Sequence, residues 1–169
     1  MQSVAVWLLI SAFTGLIAFL FYRKGKLRGS ALAAVPLLTF YMAFVLTITI
    51  IERNTTVRPR IQLVLFWTYD AIRQGNTDLR AEIFWNVILF IPIGILISML
   101  LSRKTRWLTI LIGAFLSAGI ELTQLYLHRG LFEFDDMVHN TLGTIIGMCL
   151  FFIVNGIASA ASKKPKHLK

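Results

Sequence analysis

Residues 117–147 read SAGIELTQLYLHRGLFEFDDMVHNTLGTIIG. The acid Glu121 lies inside an apolar segment, a polar turn follows, and a second apolar segment opens with Asp135 and Asp136. Ionisable groups are costly inside a bilayer, so a cluster of them between two apolar segments is typical of a functional site. Because the turn is short, we predict that the two segments are neighbouring antiparallel transmembrane helices.

The composition of the whole chain also indicates a membrane protein. Its 169 residues are 57% hydrophobic, and the mean hydropathy is +0.73. The net charge of +9 would suggest a nucleic-acid partner in a soluble protein. Here the basic residues form short clusters between apolar runs, as membrane anchors do, so no nucleic acid is expected. The single Cys149 excludes an intramolecular disulfide and argues against a thiolate metal site, and we expect no metal and no cofactor.

Five apolar segments are long enough to span the roughly 30 Å hydrocarbon core of a bilayer. Their approximate bounds are Ser3–Tyr22, Ala31–Ile51, Ile83–Leu101, Trp107–Leu127 and Met137–Gly156. The predicted fold is therefore an all-α, polytopic membrane protein with one transmembrane domain over residues 1–169. The first segment has no basic residues before it, which favours a retained anchor over a cleaved signal peptide.

Three basic clusters predict the orientation of these segments. The clusters lie at residues 23–28, 103–106 and 163–169, and none of them contains an acid. By the positive-inside rule they face the cytoplasm, which gives an outside N-terminus, an inside C-terminus and a basic cytoplasmic tail at 163–169. The long loop at 52–82 then lies outside. Within it, Ile61–Tyr69 is too short to span, and we expect it to lie on the outer surface or to re-enter partly.

Helical periodicity places the polar residues on two faces. In the fourth segment Gly113, Ser117, Glu121, Gln124 and His128 share one face, and in the fifth Asp136, Asn140, Gly143 and Gly147 do. We expect the small residues of these two faces to pack against each other. The polar ends would then meet, with Glu121 and Asn140 at a similar depth. Either Asp135 or Asp136 is expected to cap the fifth helix. His139 is interpreted as an interfacial histidine with satisfied hydrogen bonds.

The chain resembles the VanZ-like family of bacterial membrane proteins over about residues 61–150. The matching stretches are Asn86-Val-Ile-Leu-Phe-Ile-Pro-Ile-Gly94, Ser117 through Ile120-Glu121 with Gln124, Arg129-Gly-Leu-Phe-Glu-Phe-Asp-Asp136 and Asn140-Thr-Leu-Gly143. One departure is Gln62-Leu-Val-Leu-Phe66, where family members often carry a proline. The resemblance implies a bacterial cell membrane, because the founding member is associated with teicoplanin resistance. It implies no particular reaction.

The matching residues divide into a site and a frame. Pro92, Gly94, Gly143 and Gly147 are expected to be structural, with Pro92 bending its helix and opening a crevice. The predicted ligand-binding residues form a polar pocket at the outer face: Asn86, Glu121, Gln124, Arg129, Asp136 and Asn140. The arginine would bind a phosphate or carboxylate, the amides would orient hydroxyl groups, and the acids could serve as a base.

Three classes of function fit these residues. The first is a binding or protective protein that acts on a lipid-linked cell-wall precursor, a phospholipid or a lipoglycopeptide, and so lowers teicoplanin sensitivity. The second is an intramembrane hydrolase or group transferase with Glu121 or Asp136 as the catalytic acid or base. The third is a transporter, against which the lack of an internal repeat speaks. The first class fits the residues best. The ligand and the oligomeric state stay open.

Overall fold

The computed structural model describes residues 2–55 and 60–162. Within them the chain forms six α-helices, which are α1 (Gln2–Arg23), α2 (Gly29–Leu46), α3 (Trp67–Arg73), α4 (Leu79–Leu100), α5 (Leu108–Tyr126) and α6 (Phe134–Ser162). Two short strands, β1 (Arg60–Gln62) and β2 (Leu131–Glu133), complete the fold. Helix α2 continues into a π-helical turn, Thr47–Ile51. The predicted basic tail at 163–169 lies outside the described residues.

Five of the helices are long and apolar enough to cross a membrane, which confirms the predicted all-α, multi-pass architecture. They are α1, α2 with its π-helical turn, α4, α5 and α6. Since they alternate in direction, the loops fall at two ends of the bundle. The basic end carries the α1–α2 and α4–α5 loops, and the polar end carries the α2–α4 loop and the α5–α6 turn. The assignment of these ends to the two sides of a membrane stays a prediction.

Helices α4 and α6 run parallel and form the closest backbone contact of the bundle. A Cβ atom at Gly143 would overlap the carbonyl of Val87, and one at Gly147 would overlap the carbonyl of Ile91. From the other side, Gly94 lies directly against the backbone of Thr144. Small residues permit such close approach of transmembrane backbones. The structural role predicted for these three glycines agrees with these contacts.

The predicted partner of the α6 glycines was wrong. We expected Gly143 and Gly147 to pack on α5, but both face α4. Helix α5 is indeed an adjacent neighbour of α6, and its Gly113 lies against the Thr144 side chain. The physical reason is that periodicity identifies a helical face and does not identify which neighbour covers it.

Pro92 lies in the middle of α4 without interrupting it, because the helix is continuous from Leu79 to Leu100. Proline has no N–H to donate to the preceding turn. The Tyr41 hydroxyl of α2 donates to the carbonyl of Leu89, in the turn before Pro92, at 2.9 Å and so connects α2 to α4 at this point. The apolar core lies around this point and consists of Val45, Phe90, Ile93, Ile97 and Ile120.

The long loop at the polar end is attached to the α5–α6 turn by a strand pair. Strands β1 and β2 are parallel, with Ile61 opposite Phe132. The apolar residues that follow β1, Leu63–Phe66, are all more than half exposed. Helix α3 then leads toward α4. This exposed run is compatible with the expected position at the membrane surface, which stays a prediction.

Candidate functional site

The α5–α6 turn lies at the polar end of the bundle, and its backbone conformation depends on one glycine. Gly130 has a φ of +104°, a left-handed conformation that glycine adopts readily. A Cβ atom there would also lie 2.7 Å from Nε of Arg53. The glycine therefore allows the chain to turn and lets the Arg53 guanidinium lie against the turn.

Four acidic side chains are buried on the two sides of this turn, Glu121 before it and the other three after it. The exposed fractions are 1% for Glu121, 4% for Glu133, 1% for Asp135 and 6% for Asp136. A carboxyl group removed from water is costly unless hydrogen bonds compensate it. Each of the four accepts at least one hydrogen bond from another element or from the strand that follows the turn.

The carboxylates of Glu121 and Asp136 accept hydrogen bonds that join neighbouring elements at the polar end. Oε2 of Glu121 accepts a hydrogen bond from the backbone N–H of Glu133 at 3.0 Å, so it fixes the start of α6 above α5. Oδ1 of Asp136 accepts one from Nδ2 of Asn86 at 2.6 Å, which joins α6 to α4. The predicted proximity of Asn86 and Asp136 agrees with this contact.

Asp135 and Glu133 hold the long loop. Asp135 accepts hydrogen bonds from the backbone N–H groups of Phe66 and Thr68, at 2.5 and 3.0 Å, and from the Thr68 hydroxyl at 2.7 Å. These are the free donors at the start of α3. Glu133 accepts from the indole N–H of Trp67 at 3.0 Å. We expected one aspartate of the pair to cap α6, but Asp135 caps α3 and Asp136 bonds to α4.

Arg129 and Gln124 close the C-terminal end of α2. One guanidinium nitrogen of Arg129 donates to the carbonyls of Ile50, Ile51 and Arg53. Nε2 of Gln124 donates to the carbonyl of Thr49 at 2.8 Å. Carbonyls at a helix C-terminus lack partners within the helix and favour a positive charge. Both predicted ligand-binding residues thus hold the backbone of this helix end.

Asn140 lies deeper in the bundle than the four acids. Its Nδ2 donates to Oγ of Ser117 at 2.9 Å, and among the described residues no hydrogen bond joins it to Glu121. The expected Glu121–Asn140 contact is therefore replaced by an Asn140–Ser117 contact. Oδ1 of Asn140 and Oε1 of Gln124 are buried and have no partner among the described residues.

His139 is 2% exposed, and its Nε2 lies 3.0 Å from the hydroxyl of Tyr69 in α3. The expectation of an interfacial histidine agrees with this contact. Its other ring nitrogen, Nδ1, is buried and has no partner within the described part of the chain. We expected both ring nitrogens of His139 to be hydrogen-bonded, and within the described residues only Nε2 is.

A cavity of about 380 Å³ opens between the end of α2 and the starts of α4 and α6. Its lining residues are Ile48, Thr49, Arg53, Glu82, Trp85, Asn86, Leu89 and Asp136. Two of the six predicted ligand-binding residues, Asn86 and Asp136, belong to this lining. The other four lie behind it in the hydrogen-bonded frame. Glu121 is among these four, whereas Asp136 is a catalytic candidate that reaches the cavity.

Three cavity residues whose side chains could bind a ligand were not predicted from the sequence, namely Arg53, Glu82 and Trp85. Arg53 supplies the cavity's guanidinium, and its Nη2 lies 3.8 Å from Oε1 of Glu82. Trp85 contributes an indole that is 63% exposed. A signal was available in the sequence, because Arg53 is the second residue after the second apolar segment and Glu82 directly precedes the third. Both were read as parts of a loop.

Glu133 was also missed as a candidate, although it lies in the quoted motif. Burial, together with the nearby charges of Asp136 and Glu82, raises the pKa of its carboxyl to about 7. The hydrogen bond from Trp67 and the charge of Arg53 act in the opposite direction. A carboxyl with a pKa near neutrality can exchange protons at physiological pH. Among the described residues, no group of three or more His, Cys, Asp or Glu side chains is arranged to hold a metal ion.

Comparison with known proteins gives one match. The model of the family described as VanZ/LLP1 matches residues 30–155, which is well over half of the chain. The match begins in α2 and ends in α6, so it includes every residue that lines the cavity. Neither the curated proteins nor the solved structures contain a match.

Proposed function

We propose, for a chain that belongs to the VanZ/LLP1 family, that the cavity at the polar end binds the head group of an amphiphilic molecule of the bacterial cell envelope. The candidates are a lipid-linked cell-wall precursor, a phospholipid and a lipoglycopeptide. The cavity would face the outside, as the basic clusters predict. Binding there would lower sensitivity to teicoplanin, an antibiotic that carries an acyl chain.

One observation carries this proposal, namely the mixed lining of the cavity. Arg53, Glu82 and Asp136 offer charged groups, whereas Ile48 and Leu89 offer apolar surface from spanning helices. Ligand sites commonly combine apolar walls with a few fixed polar groups. An amphiphile can place its head group against the charges while its chain follows the apolar surface of α4.

The direct test is to purify the full chain and to identify co-purified lipids by mass spectrometry. Asp136→Asn and Asn86→Ala should reduce the amount of bound lipid, because each alters a polar group in the lining. Asp70→Asn is the matched control, since that exposed acid of α3 lies at the same end but outside the cavity. A preparation without lipid, or equal lipid in all four proteins, would contradict the proposal.

The resistance part has its own test. Expression in a sensitive Gram-positive host should lower teicoplanin sensitivity more than vancomycin sensitivity, because vancomycin has no acyl chain to partition into the membrane. Asp136→Asn should remove the effect at an unchanged protein level, measured by immunoblot, and Asp70→Asn should retain it. Equal protection against both drugs would instead indicate a general change in the cell wall.

A second candidate function is hydrolysis or group transfer on an envelope lipid. Two observations support it: Asp136 reaches the cavity, and the neighbouring Glu133 has a pKa near neutrality. Incubating the protein with a lipid extract and analysing it by mass spectrometry separates the two candidates. An enzyme changes the lipid composition with time, and a binding protein leaves it unchanged.

A further inference from the structure

The cavity has an unbalanced charge, and this bears on which head group it accepts. Its lining contains two carboxylates, Glu82 and Asp136, and one guanidinium, that of Arg53. The second arginine of the polar end, Arg129, is outside the lining and donates to backbone carbonyls. A head group with only negative charge would therefore meet more acids than bases.

Asp136 has the features of a ligand contact. It is 6% exposed, and it lines the cavity. Within the described residues, the only hydrogen bond that its side chain accepts is the one from Asn86, to Oδ1. Its other oxygen is left for a donor that enters the cavity. A buried carboxylate with free acceptor capacity gains from a charged donor, because such hydrogen bonds are the strong ones.

Trp85 adds a surface that attracts cations. Its indole lines the cavity, one residue before Asn86, and it is 63% exposed. Phe84 packs edge-on against it, with ring centroids 5.3 Å apart. The face of a tryptophan ring is the aromatic surface that cations prefer.

The ion pair in the cavity is loose. The Arg53 and Glu82 side chains are 30% and 40% exposed, and their charged atoms are 3.8 Å apart. Partly exposed pairs of this kind contribute little to stability. A ligand that carries both charges can therefore separate them at little cost, with its anion on Arg53 and its cation near Glu82.

We propose that the cavity selects amphiphiles whose head group carries an ammonium group, which would lie between Glu82 and Asp136 against the Trp85 ring. This inference rests on the proposed function and narrows it to amine-bearing head groups. A phosphate or carboxylate in the same head group binds Arg53. Three N–H donors of a primary ammonium match the free carboxylate oxygens.

The test compares two phospholipids that differ only in the head group. The purified full chain in detergent is titrated with phosphatidylethanolamine and with phosphatidylglycerol of identical acyl chains, and bound lipid is counted by native mass spectrometry. We expect phosphatidylethanolamine to bind about tenfold more tightly, which corresponds to ~1.4 kcal/mol. N-acetylation of the amine removes the positive charge and should abolish the preference.

Variants assign the preference to the cavity. Glu82→Gln, Asp136→Asn and Trp85→Leu should each reduce the preference, and Asp70→Asn should keep it. Circular dichroism and gel filtration identify any variant that fails to fold. Because Glu82 is partly exposed, Glu82→Gln tests the idea even if Asp136→Asn does not fold.

The outcomes separate the two proposals. Equal binding of both lipids, tighter binding of phosphatidylglycerol, or an acetylated lipid that still binds as tightly as phosphatidylethanolamine overturns the ammonium inference and leaves the lipid-binding proposal standing. Binding of neither lipid, together with no co-purified lipid, overturns both.

Discussion

Asn86 occupies a position where one side chain joins two spanning helices. Its amide donates to the carboxylate of Asp136, which is 6% exposed. Neither residue has another side-chain hydrogen bond among the described residues. The pair therefore stabilises the start of α4 against the start of α6 and also sets the direction of the Asp136 carboxylate in the cavity.

Asn86→Ala should destabilise the protein, because it leaves a largely buried carboxylate without its donor. Hydrogen bonds to charged groups contribute about 2 kcal/mol, and we expect a loss of that order. Thermal unfolding in detergent measures it. Asn155→Ala, at an exposed position of α6, should leave the melting temperature unchanged. Similar melting temperatures for Asn86→Ala and the parent chain would mean that water replaces the amide.

Glu133 should make stability depend on pH. Its folded pKa of about 7 lies above its ordinary value of 4.5, so between these values the folded chain binds more protons than the unfolded chain. The free energy of unfolding should therefore fall as pH rises through this window, by up to about 3 kcal/mol. Below pH 4.5 this loss of stability is absent, and above pH 7 the full loss is reached.

Glu133→Gln removes the titrating group and keeps an oxygen that can accept the Trp67 hydrogen bond. Melting temperatures at pH 5 and pH 8 should differ less for this variant than for the parent chain. The same comparison with Asp70→Asn, an exposed acid, should show the parent behaviour. An unaltered pH dependence in Glu133→Gln would assign the effect to the other buried acids.

At the scale of elements, the glycine contact between α4 and α6 makes a sharp prediction. Gly143→Ala places a methyl group into the Val87 carbonyl, so the helices must move apart. Overpacking of this kind costs about 1–3 kcal/mol. Gly156→Ala in the same helix meets nothing within 4 Å and should be neutral or slightly stabilising. Unfolding in detergent compares the two, and equal effects would argue against a close contact at Gly143.

The elements differ in how well the sequence predicts them. Long apolar runs determine the five spanning helices, because a spanning segment must satisfy its backbone hydrogen bonds internally. Strands β1 and β2 have three residues each and pair across about 70 residues, so no local pattern indicates them. The neighbour of Gly143 was predicted wrongly for a related reason. Sequence spacing shows which residues share a helix face, but it does not show which other helix packs on that face.

The candidate site was predictable in part for the same physical reason. Asn86 and Asp136 are polar residues at the edges of apolar segments, and their contact follows from two helices that begin at the same end. Arg129 was assigned to a ligand from its charge and from its place in the family motif. Its carbonyl partners at 50, 51 and 53 became visible only when α2 and the α5–α6 turn were placed side by side.

The topology of the whole molecule is directly testable. The basic clusters predict that residue 130 lies outside and residue 104 inside. Single cysteines at Gly130 and Lys104 in a Cys149→Ala background should react differently with an impermeant thiol reagent in intact cells. Because Gly130 is in a left-handed conformation, a cysteine at the exposed Leu127, whose φ is −85°, provides a second reporter beside the same turn. Labelling of residue 104 in intact cells, before permeabilisation, would reverse the orientation.

The parallel contact of α4 with α6 has a consequence for how the chain is made. The ribosome completes Gly147 about 50 residues after Gly94, which takes about 3–10 s at ordinary rates of translation. During that interval the close-packed face of α4 has no partner, because the glycines of α6 have not yet been made. The cavity is also incomplete, because Asp136 arrives with the last spanning helix. A chain whose translation stops after α5 therefore carries four of the five long apolar helices and lacks the α6 side of the cavity.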